Sequence, residues 1–332
     1  MGQWIIICVG FCILVVVVLP SVIVRGCSFN IYPLTEQLSS FDQTVKVFIV
    51  ASNQLQDMPI EEYIKGVVAA EMPASFGVEA LRAQAIAART FTLRRMVAAG
   101  GPGCTAHSGA DICTDHRHCQ AWVSPVYSRK IQDAVNSTKG LVATYQGGLI
   151  DACYHAASGG ATDNSEEVWS SAVPYLKGVS TEFEAKEPDF LKEVSFAMDE
   201  LEKQLEVSLK ERKSTTYKVA GKDVHVISEE RMDKPIEVLE ASKAGRVKEI
   251  RIGDKVFSGY ALRTLLGLPS TKMTYRIADN KVYITTTGYG HGVGMSQYGA
   301  NAMADSGKNY VEILKHYYQG IEVVDYVNAQ VK

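Results

Sequence analysis

The first 24 residues carry no charged side chain, and Trp4–Val24 is an almost unbroken apolar run. A helix needs about 20 apolar residues to cross a bilayer. Everything that follows must therefore fold behind a segment that has no place in a water-soluble core. A cleaved export signal would show a shorter apolar stretch, a basic start and an A-x-A-like site. None is present, so residues 1–24 are read as an uncleaved transmembrane anchor. Gly26–Cys27 leaves a lipoprotein processing site as the alternative, with Arg25 a poor residue before it. Arg25 by itself would favour a cytoplasmic tail, and the chemistry of the later motifs argues for an outside one.

Residues 25–44 are polar, contain Pro33 and read as a linker. The chain has 332 residues, 46% of them hydrophobic, enough for one large core or two modest ones. With 34 basic against 37 acidic residues the net charge is −3, which lacks the footprint of a nucleic-acid binder. The pattern beyond residue 44 predicts an α+β fold. Val45–Val50 alternates as a strand. Glu61–Met72 has Ile64, Val67 and Val68 on one helical side and is stopped by Pro73. Val78–Ala99 is a second helix whose alanines let neighbours approach closely. Pro125–Ser137 reads as a short helix. Gly140–Tyr145 and Leu149–His155 read as paired strands turning at Gly147–Gly148. Val194, Phe196 and Met198 alternate as a strand, and Asp199 begins a short helix. Several alternating runs fill residues 215–286, broken by a helix at Tyr260–Leu266. Ser296–Ser306 is a helix ending at Gly307, and Asn309 with Glu312 has capping-box spacing for a last helix to Tyr318. The expected organisation is a mixed helical/β core from 45–180 and 281–332, with a β-rich inserted subdomain at 181–280.

Several stretches carry residues able to do chemistry. Glu71 lies in GVVAAEMP among small and apolar neighbours, where an ionised carboxylate is costly. The negative end of its helix adds to that cost. Both effects raise its pKa and favour the proton a general acid must carry. The bland alternative is a glutamate paired with Arg82 or Arg89. Those two arginines are seven apart, on one helix face; they suit a carboxylate or sugar hydroxyls, or form a solvated basic stripe with Arg94 and Arg95. The loop CTAHSGADICTDHRHC (Cys104–Cys119) holds three cysteines and three histidines in sixteen residues. That is a strong metal signal, although a disulfide is the alternative. CYHAASGGATDNSEEVW sets Tyr154, His155 and Ser158 ahead of two glycines; no G-x-S-x-G elbow surrounds Ser158, which argues against an acyl-enzyme. GYGHGVGMSQYGA sets His291 and Gln297 among five glycines with no phosphate-loop lysine.

Three of these stretches, EYIKGVVAAEMPASFGVEALRAQAIAARTF, YHAASGGAT and TTGYGHGVGMSQYGANAMA, occur in one order that resembles the SpoIID/LytB domain family of stage II sporulation protein D. The resemblance covers most of residues 45–320. It implies a lytic transglycosylase of peptidoglycan with Glu71 as catalytic acid. It further implies Arg82, Arg89, Tyr154 and Ser158 at substrate, and His291 and Gln297 of the third motif are counted with them. Some members hold a zinc by a His-x5-Cys-x4-His-Cys pattern that His107, Cys113, His118 and Cys119 match, leaving Cys104 and His116 outside. Because other members lack this cluster, the implied zinc is structural. His155 is given no role. Implied partners are peptide-stripped glycan strands, the amidase SpoIIP and the membrane protein SpoIIM. The implied location is the cell membrane with the catalytic domain outside the cytoplasm, in the intermembrane space of sporulating cells.

Such an enzyme needs a single carboxyl rather than the pair of ordinary glycosidases. Two readings compete with it. One is a zinc-dependent hydrolase of wall peptides or acetyl groups, which requires an open metal position. The other is a non-catalytic wall-binding module that activates an amidase. Glu71, the Tyr154–Ser158 turn and the His291 loop are expected around one groove.

Overall fold

The computed structural model describes residues 43–124, 127–169, 171–184 and 190–329. The expected anchor at 1–24 and nearly all of the linker at 25–44 lie outside them. Among the described residues no helix is long and apolar enough to cross a membrane. The described chain mixes helices and sheets in an α+β fold.

Strand β1 (Thr44–Ile49) buries Val45 and Val47 completely and exposes Thr44 and Lys46 between them, the alternation that the sequence showed. It pairs antiparallel with β2 (Gln54–Pro59). Helix α1 (Ile60–Glu71) follows, with Ile60, Tyr63, Ile64, Val67 and Val68 on its buried side. Met72 ends it in an extended conformation, as the residue before a proline prefers. Helix α2 (Val78–Arg95) is the centre of the molecule. Its Ala80, Ala83, Ala85, Ala87 and Ala88 have no exposed surface. Their small side chains let five elements pack around one helix. These are α1, α3 (Arg129–Asn136, N-capped by Ser128), β4 (Leu141–Tyr145) and the last two helices of the fold. Between α2 and α3, strand β3 (Ile112–Cys113) adds to β1 in parallel.

Strand β4 turns through Gln146 and Gly147, both at positive φ, into β5 (Gly148–Leu149). The expected strand Leu149–His155 does not continue along β4. Its last two residues form β6 (Tyr154–His155), which pairs in parallel with a strand much later in the chain, described below. Helix α4 (Ser165–Trp169) follows.

The β-rich segment comprises β7 (Leu191–Ala197), α5 (Met198–Leu205), β8 (Lys210–Val219), β9 (Lys222–Arg231), β10 (Ile236–Ala241), β11 (Val247–Ile252), β12 (Lys255–Ser258), α6 (Gly259–Leu266), β13 (Met273–Ala278) and β14 (Lys281–Thr287). The sheets β10–β11–β12 and β13–β14–β7 close with α5 and α6 over one apolar cluster that includes Leu201, Ile250, Leu262 and Ile284. Val282 and Ile284 belong to that cluster, so the segment reaches past residue 280. β8 and β9 form a separate two-stranded ribbon turning at Ala220 and Gly221, both at positive φ. Its residues are almost all exposed, Tyr217, Val219, Val224 and Val226 included.

The chain then returns through β15 (Met295–Ser296), the partner of β6, into α7 (Gln297–Asp305), α8 (Tyr310–Tyr317) and β16 (Glu322–Asp325), which completes the sheet β16–β4–β5. Ser296 caps α7. Asn309 and Glu312 form the expected capping box on α8, with Asn309 Oδ1 accepting from Glu312 N at 3.0 Å and Glu312 Oε2 accepting from Asn309 N at 3.0 Å.

A buried arginine docks the β-rich segment on the core. Arg246 and Asp163 are each 2% exposed. Arg246 Nε lies 3.0 Å from Asp163 Oδ2, its Nη2 donates to the Ser158 carbonyl at 2.6 Å and its Nη1 to Ser270 Oγ at 3.1 Å. Gly292 makes room for it: at φ 81°, a Cβ there would stand 2.1 Å from Arg246 Nε. Removing one partner of a buried ion pair leaves the other uncompensated, which costs about 3–5 kcal/mol. Arg246→Ala is therefore expected to lower unfolding free energy by that order in urea denaturation, with Asp163→Asn/Arg246→Met recovering part of the loss.

Candidate active site

Glu71 is the last residue of α1 and is half-buried. Two donors hold it from different elements. Ala121 N–H donates to Oε1 at 2.9 Å, and Gln297 Nε2 at the start of α7 donates to Oε2 at 2.9 Å. Burial raises its pKa above the usual glutamate value, against the lowering pull of Gln297, Ala121 and His116. The carbonyl end of α1 works in the same direction as burial.

Neither arginine pairs with it. Arg89 is fully buried and grips Glu61 by both oxygens, Nε to Oε1 at 2.8 Å and Nη2 to Oε2 at 2.7 Å. Its Nη1 donates to the Leu141 carbonyl at 3.1 Å, so one guanidinium joins α1, α2 and β4. Arg82 pairs with Glu79 at 2.6 Å and donates to Ser137 Oγ at 3.1 Å. The substrate-binding role expected for Arg89 is thus replaced by a structural one, since a buried guanidinium with its donors spent cannot meet a sugar. Arg82 faces the junction with α8, lining a shallow cavity with Tyr310 and Lys315.

Burial, then the Glu71 charge, raises the Tyr154 phenol well above the ordinary value. Its hydroxyl accepts from Gln120 Nε2 at 2.8 Å. Ser158 is fully buried. Its N–H donates to Glu184 Oε1 at 2.7 Å and its hydroxyl to Glu184 Oε2. Ser296 Oγ donates to Glu184 Oε1 at 2.9 Å. The expected substrate contact of Ser158 is corrected to an internal one, made to a buried glutamate that the sequence did not single out.

His291 anchors the strand that carries Tyr154. Its Nε2–H donates to the Tyr154 carbonyl at 3.0 Å while Nδ1 accepts from Val293 N at 3.2 Å. Both contacts suit a neutral ring, and burial, with the Arg263 charge, lowers its pKa to about 4. Its role is to shape the site rather than to titrate near neutral pH.

The Cys/His loop folds back on itself so that ligand atoms of Cys104, Cys113, His118 and Cys119 all lie within 4.8 Å of one another. His118 Nδ1 sits 3.5 Å from Cys104 Sγ, 3.5 Å from Cys113 Sγ and 3.3 Å from Cys119 Sγ. Its Nε2 meets Thr105 Oγ1 at 3.0 Å, which leaves Nδ1 as the free lone pair. Four nitrogen or sulfur donors in this grouping suit a closed, four-coordinate metal site. Burial pushes the Cys113 and Cys119 thiols up, and a bound cation would be what holds them as thiolates. The set differs from the expected one by a single member: Cys104 stands where His107 was expected. The His107 ring is stacked on Phe48, centroids 4.0 Å apart, with its Nδ1 3.4 Å from Cys104 Sγ at the edge of the cluster.

The loop's exit runs straight to Glu71. Cys119 belongs to the cluster, Gln120 bonds Tyr154, and Ala121 bonds Glu71. Val123 N then donates to the Gly66 carbonyl at 3.3 Å, pinning this strap to α1. Gly66 permits it, because a Cβ there would meet Trp122 Nε1 at 2.2 Å. Gln120 and Ala121 escaped sequence reasoning because they look like the tail of a metal loop.

Comparison with known proteins places these features in a family. The model for SpoIID, stage II sporulation protein, matches residues 51–145. Stage II sporulation protein D of Bacillus amyloliquefaciens is 33% identical over 345 residues, covering 95% of this chain and 93% of that protein. Its namesake from Bacillus subtilis (strain 168) is 35% identical over 300 residues, covering 87% and 81%. The amidase enhancer of the same Bacillus subtilis strain is 32% identical over 303 residues, covering 79% of this chain and 40% of that protein.

The cluster geometry predicts which side chains hold a metal. Cys104→Ser is expected to lose most of the bound metal and His107→Ala to keep it, measured as metal per chain by plasma mass spectrometry. Equal retention by both variants, or loss only with His107→Ala, contradicts the assignment.

Proposed function

Because the chain belongs to the stage II sporulation protein D family, we propose that it is a lytic transglycosylase cutting the MurNAc–GlcNAc bonds of peptide-stripped peptidoglycan during engulfment in sporulation. The observation that carries this reading is Glu71. It is a half-buried carboxyl with a raised pKa, held by two neutral donors and matched to no arginine. That is the environment of a general acid.

In the proposed reaction the protonated Glu71 gives its hydrogen to the glycosidic oxygen as the C1–O bond breaks. GlcNAc leaves as the alcohol, and positive charge develops at C1 of MurNAc. The Glu71 carboxylate then takes the proton from the MurNAc 6-hydroxyl. O6 bonds to C1, the 1,6-anhydro ring closes, and the enzyme ends protonated as it began. No water enters and no second carboxylate is required. Glu184, a buried carboxylate, is engaged by Ser158 and Ser296 and serves the scaffold.

Zinc, held by Cys104, Cys113, His118 and Cys119, would tie the loop ends together. Four protein ligands leave no open position for an activated water, which disfavours the hydrolase reading. The amidase SpoIIP and the membrane protein SpoIIM are the proposed partners. An anchor at residues 1–24 would hold the catalytic part outside the cytoplasm, where glycan strands are.

Two experiments test this. Glu71→Gln should remain folded and lose at least ~10²-fold of its rate of anhydro-ended fragments from peptide-free glycan, read by mass spectrometry. Undiminished product in that variant would falsify the assignment, and a folded wild type without anhydro product would favour the binding-module reading. The second concerns pH. A single group that must start protonated gives a rate falling as pH rises through its pKa. Gln297 donates to the carboxylate form and lowers that pKa, so Gln297→Leu should move the descending limb of kcat to higher pH. A limb that moves down or stays in place contradicts the role of Glu71.

A further inference from the structure

Arg94 and Arg95 are the last two residues of α2. With Phe91, Leu149 and Asp151 they line a cavity of about 500 Å³, a size usual for small-ligand sites. The chain after α2 folds back closely at its rim. Gly101 N donates to the Met96 carbonyl at 2.9 Å, and a Cβ at Gly101 would stand 2.3 Å from the Arg94 carbonyl oxygen.

The donors of both arginines are largely unspent. Arg94 is exposed, and its Nη1 donates to the Leu149 carbonyl at 3.0 Å. Among the described residues its other guanidinium N–H groups meet no protein acceptor. Arg95 is half-buried and lies over the Phe91 ring, 4.5 Å from the centroid. Among the described residues none of its guanidinium N–H groups meets a protein acceptor. A cation in the last turn of a helix is favourable by itself. That accounts for positive charge at this end of α2, but not for a stacked guanidinium with free donors on a cavity wall. Arg89 shows the contrast, since its donors go to Glu61 and Leu141.

The charge balance narrows the ligand. The charged residues lining the cavity are Arg94, Arg95 and Asp151, so two positive charges against one negative leave a surplus of one. One carboxylate neutralises that surplus, whereas a doubly charged phosphate would also meet the repulsion of Asp151. A planar guanidinium matches a carboxylate through two parallel N–H groups. Phe91 and Leu149 offer apolar surface to whatever carries it.

Both sides of the cavity continue into the candidate active site. Along α2, Arg95 follows Thr92 by one turn. The Thr92 hydroxyl lies 3.0 Å from Gln120 Oε1, and the next residue, Ala121, holds Glu71. On the other side, Asp151 leads within three residues to Tyr154.

We propose that this cavity binds the lactyl carboxylate of a MurNAc residue, so that Arg94 and Arg95 select peptide-stripped strands over peptide-bearing ones. The identity of the sugar rests on the transglycosylase reading; the preference for a carboxylate does not. In a peptide-bearing strand the lactyl carbonyl is an amide, neutral and continued by the peptide. Hydrolysis of that amide leaves a carboxylate beside a methyl group, a charge and an apolar surface that the cavity can meet together.

Calorimetric binding to Glu71→Gln protein, in which strands should stay uncut, tests this. The probes are peptide-free glycan oligomers with free lactyl carboxylates and the same oligomers with those groups converted to methylamides. The carboxylate form is expected to bind roughly 10-fold more tightly. Arg94→Gln/Arg95→Gln should remove that difference and leave binding of the methylamide form unchanged. Asp151→Asn, which deletes a like charge, should tighten binding of the carboxylate form by about 2–5-fold. Equal affinity for the two forms in the unaltered cavity overturns the proposal even if the double variant folds poorly, and would leave the cavity to a carboxylate of another protein. A difference that survives in a folded double variant, or an Asp151→Asn protein that binds the carboxylate form no better, also overturns it. A wild type that makes no anhydro product would defeat the transglycosylase reading alone, and the comparison of the two glycan forms would still decide the role of the cavity.

Discussion

Burying one helix on every side is the constraint that the rest of this molecule answers to. α2 touches α1, α3, β4, α7 and α8, and such crowding is feasible only because five of its inward positions are alanine. The cost of small side chains is a thin apolar interface, since the alanines contribute little area each. Arg89 supplies what they cannot. Its guanidinium, with no exposed surface, binds Glu61 through both oxygens and the carbonyl of Leu141. The pair fixes α1 against α2, and thereby fixes where α1 ends. Glu71 is that end.

The Glu71 carboxyl is held by one backbone donor and one side-chain donor. One donor is the amide of Ala121, and the other stands at the first residue of α7. α7 is in turn tied to the loop between α1 and α2, where Gly77 N donates to Asn301 Oδ1 at 2.7 Å. Burial and the helix end push the carboxyl toward its neutral form, while the two donors pull the other way.

Local pattern made much of the fold legible. Strand β1, helices α1 and α2, the capping box of α8 and the alternating runs of the β-rich segment follow from spacing and caps within a few residues of one another. Pairings over long separations were not legible. β6 and β15 are two residues each, too short to show alternation, and only the folded chain shows them adjacent. The site divided in the same way. Glu71, Tyr154 and Gln297 were visible because their motifs are distinctive. Arg89 and Ser158 looked like ligands for substrate since a sequence displays residue type without burial. Cys104 was left outside because the family pattern begins at His107, and spacing cannot show that Cys104 Sγ lies within 4.8 Å of the other ligand atoms. Gln120 carried no signal beyond its place after Cys119.

The exposed ribbon β8–β9 carries a different kind of meaning. An isolated two-stranded hairpin is marginal in water, and this one is joined to the body of the protein at its base, where Met232 N donates to the Leu209 carbonyl at 3.0 Å and Arg231 lies 3.7 Å from Asp199. Its turn at Ala220–Gly221 is of the tight kind that closes a hairpin by itself. Length can therefore be added or removed there in register pairs without disturbing the groove. The ribbon is the part of this architecture most open to divergence, and the natural place to graft a tag or a label that leaves Glu71 untouched.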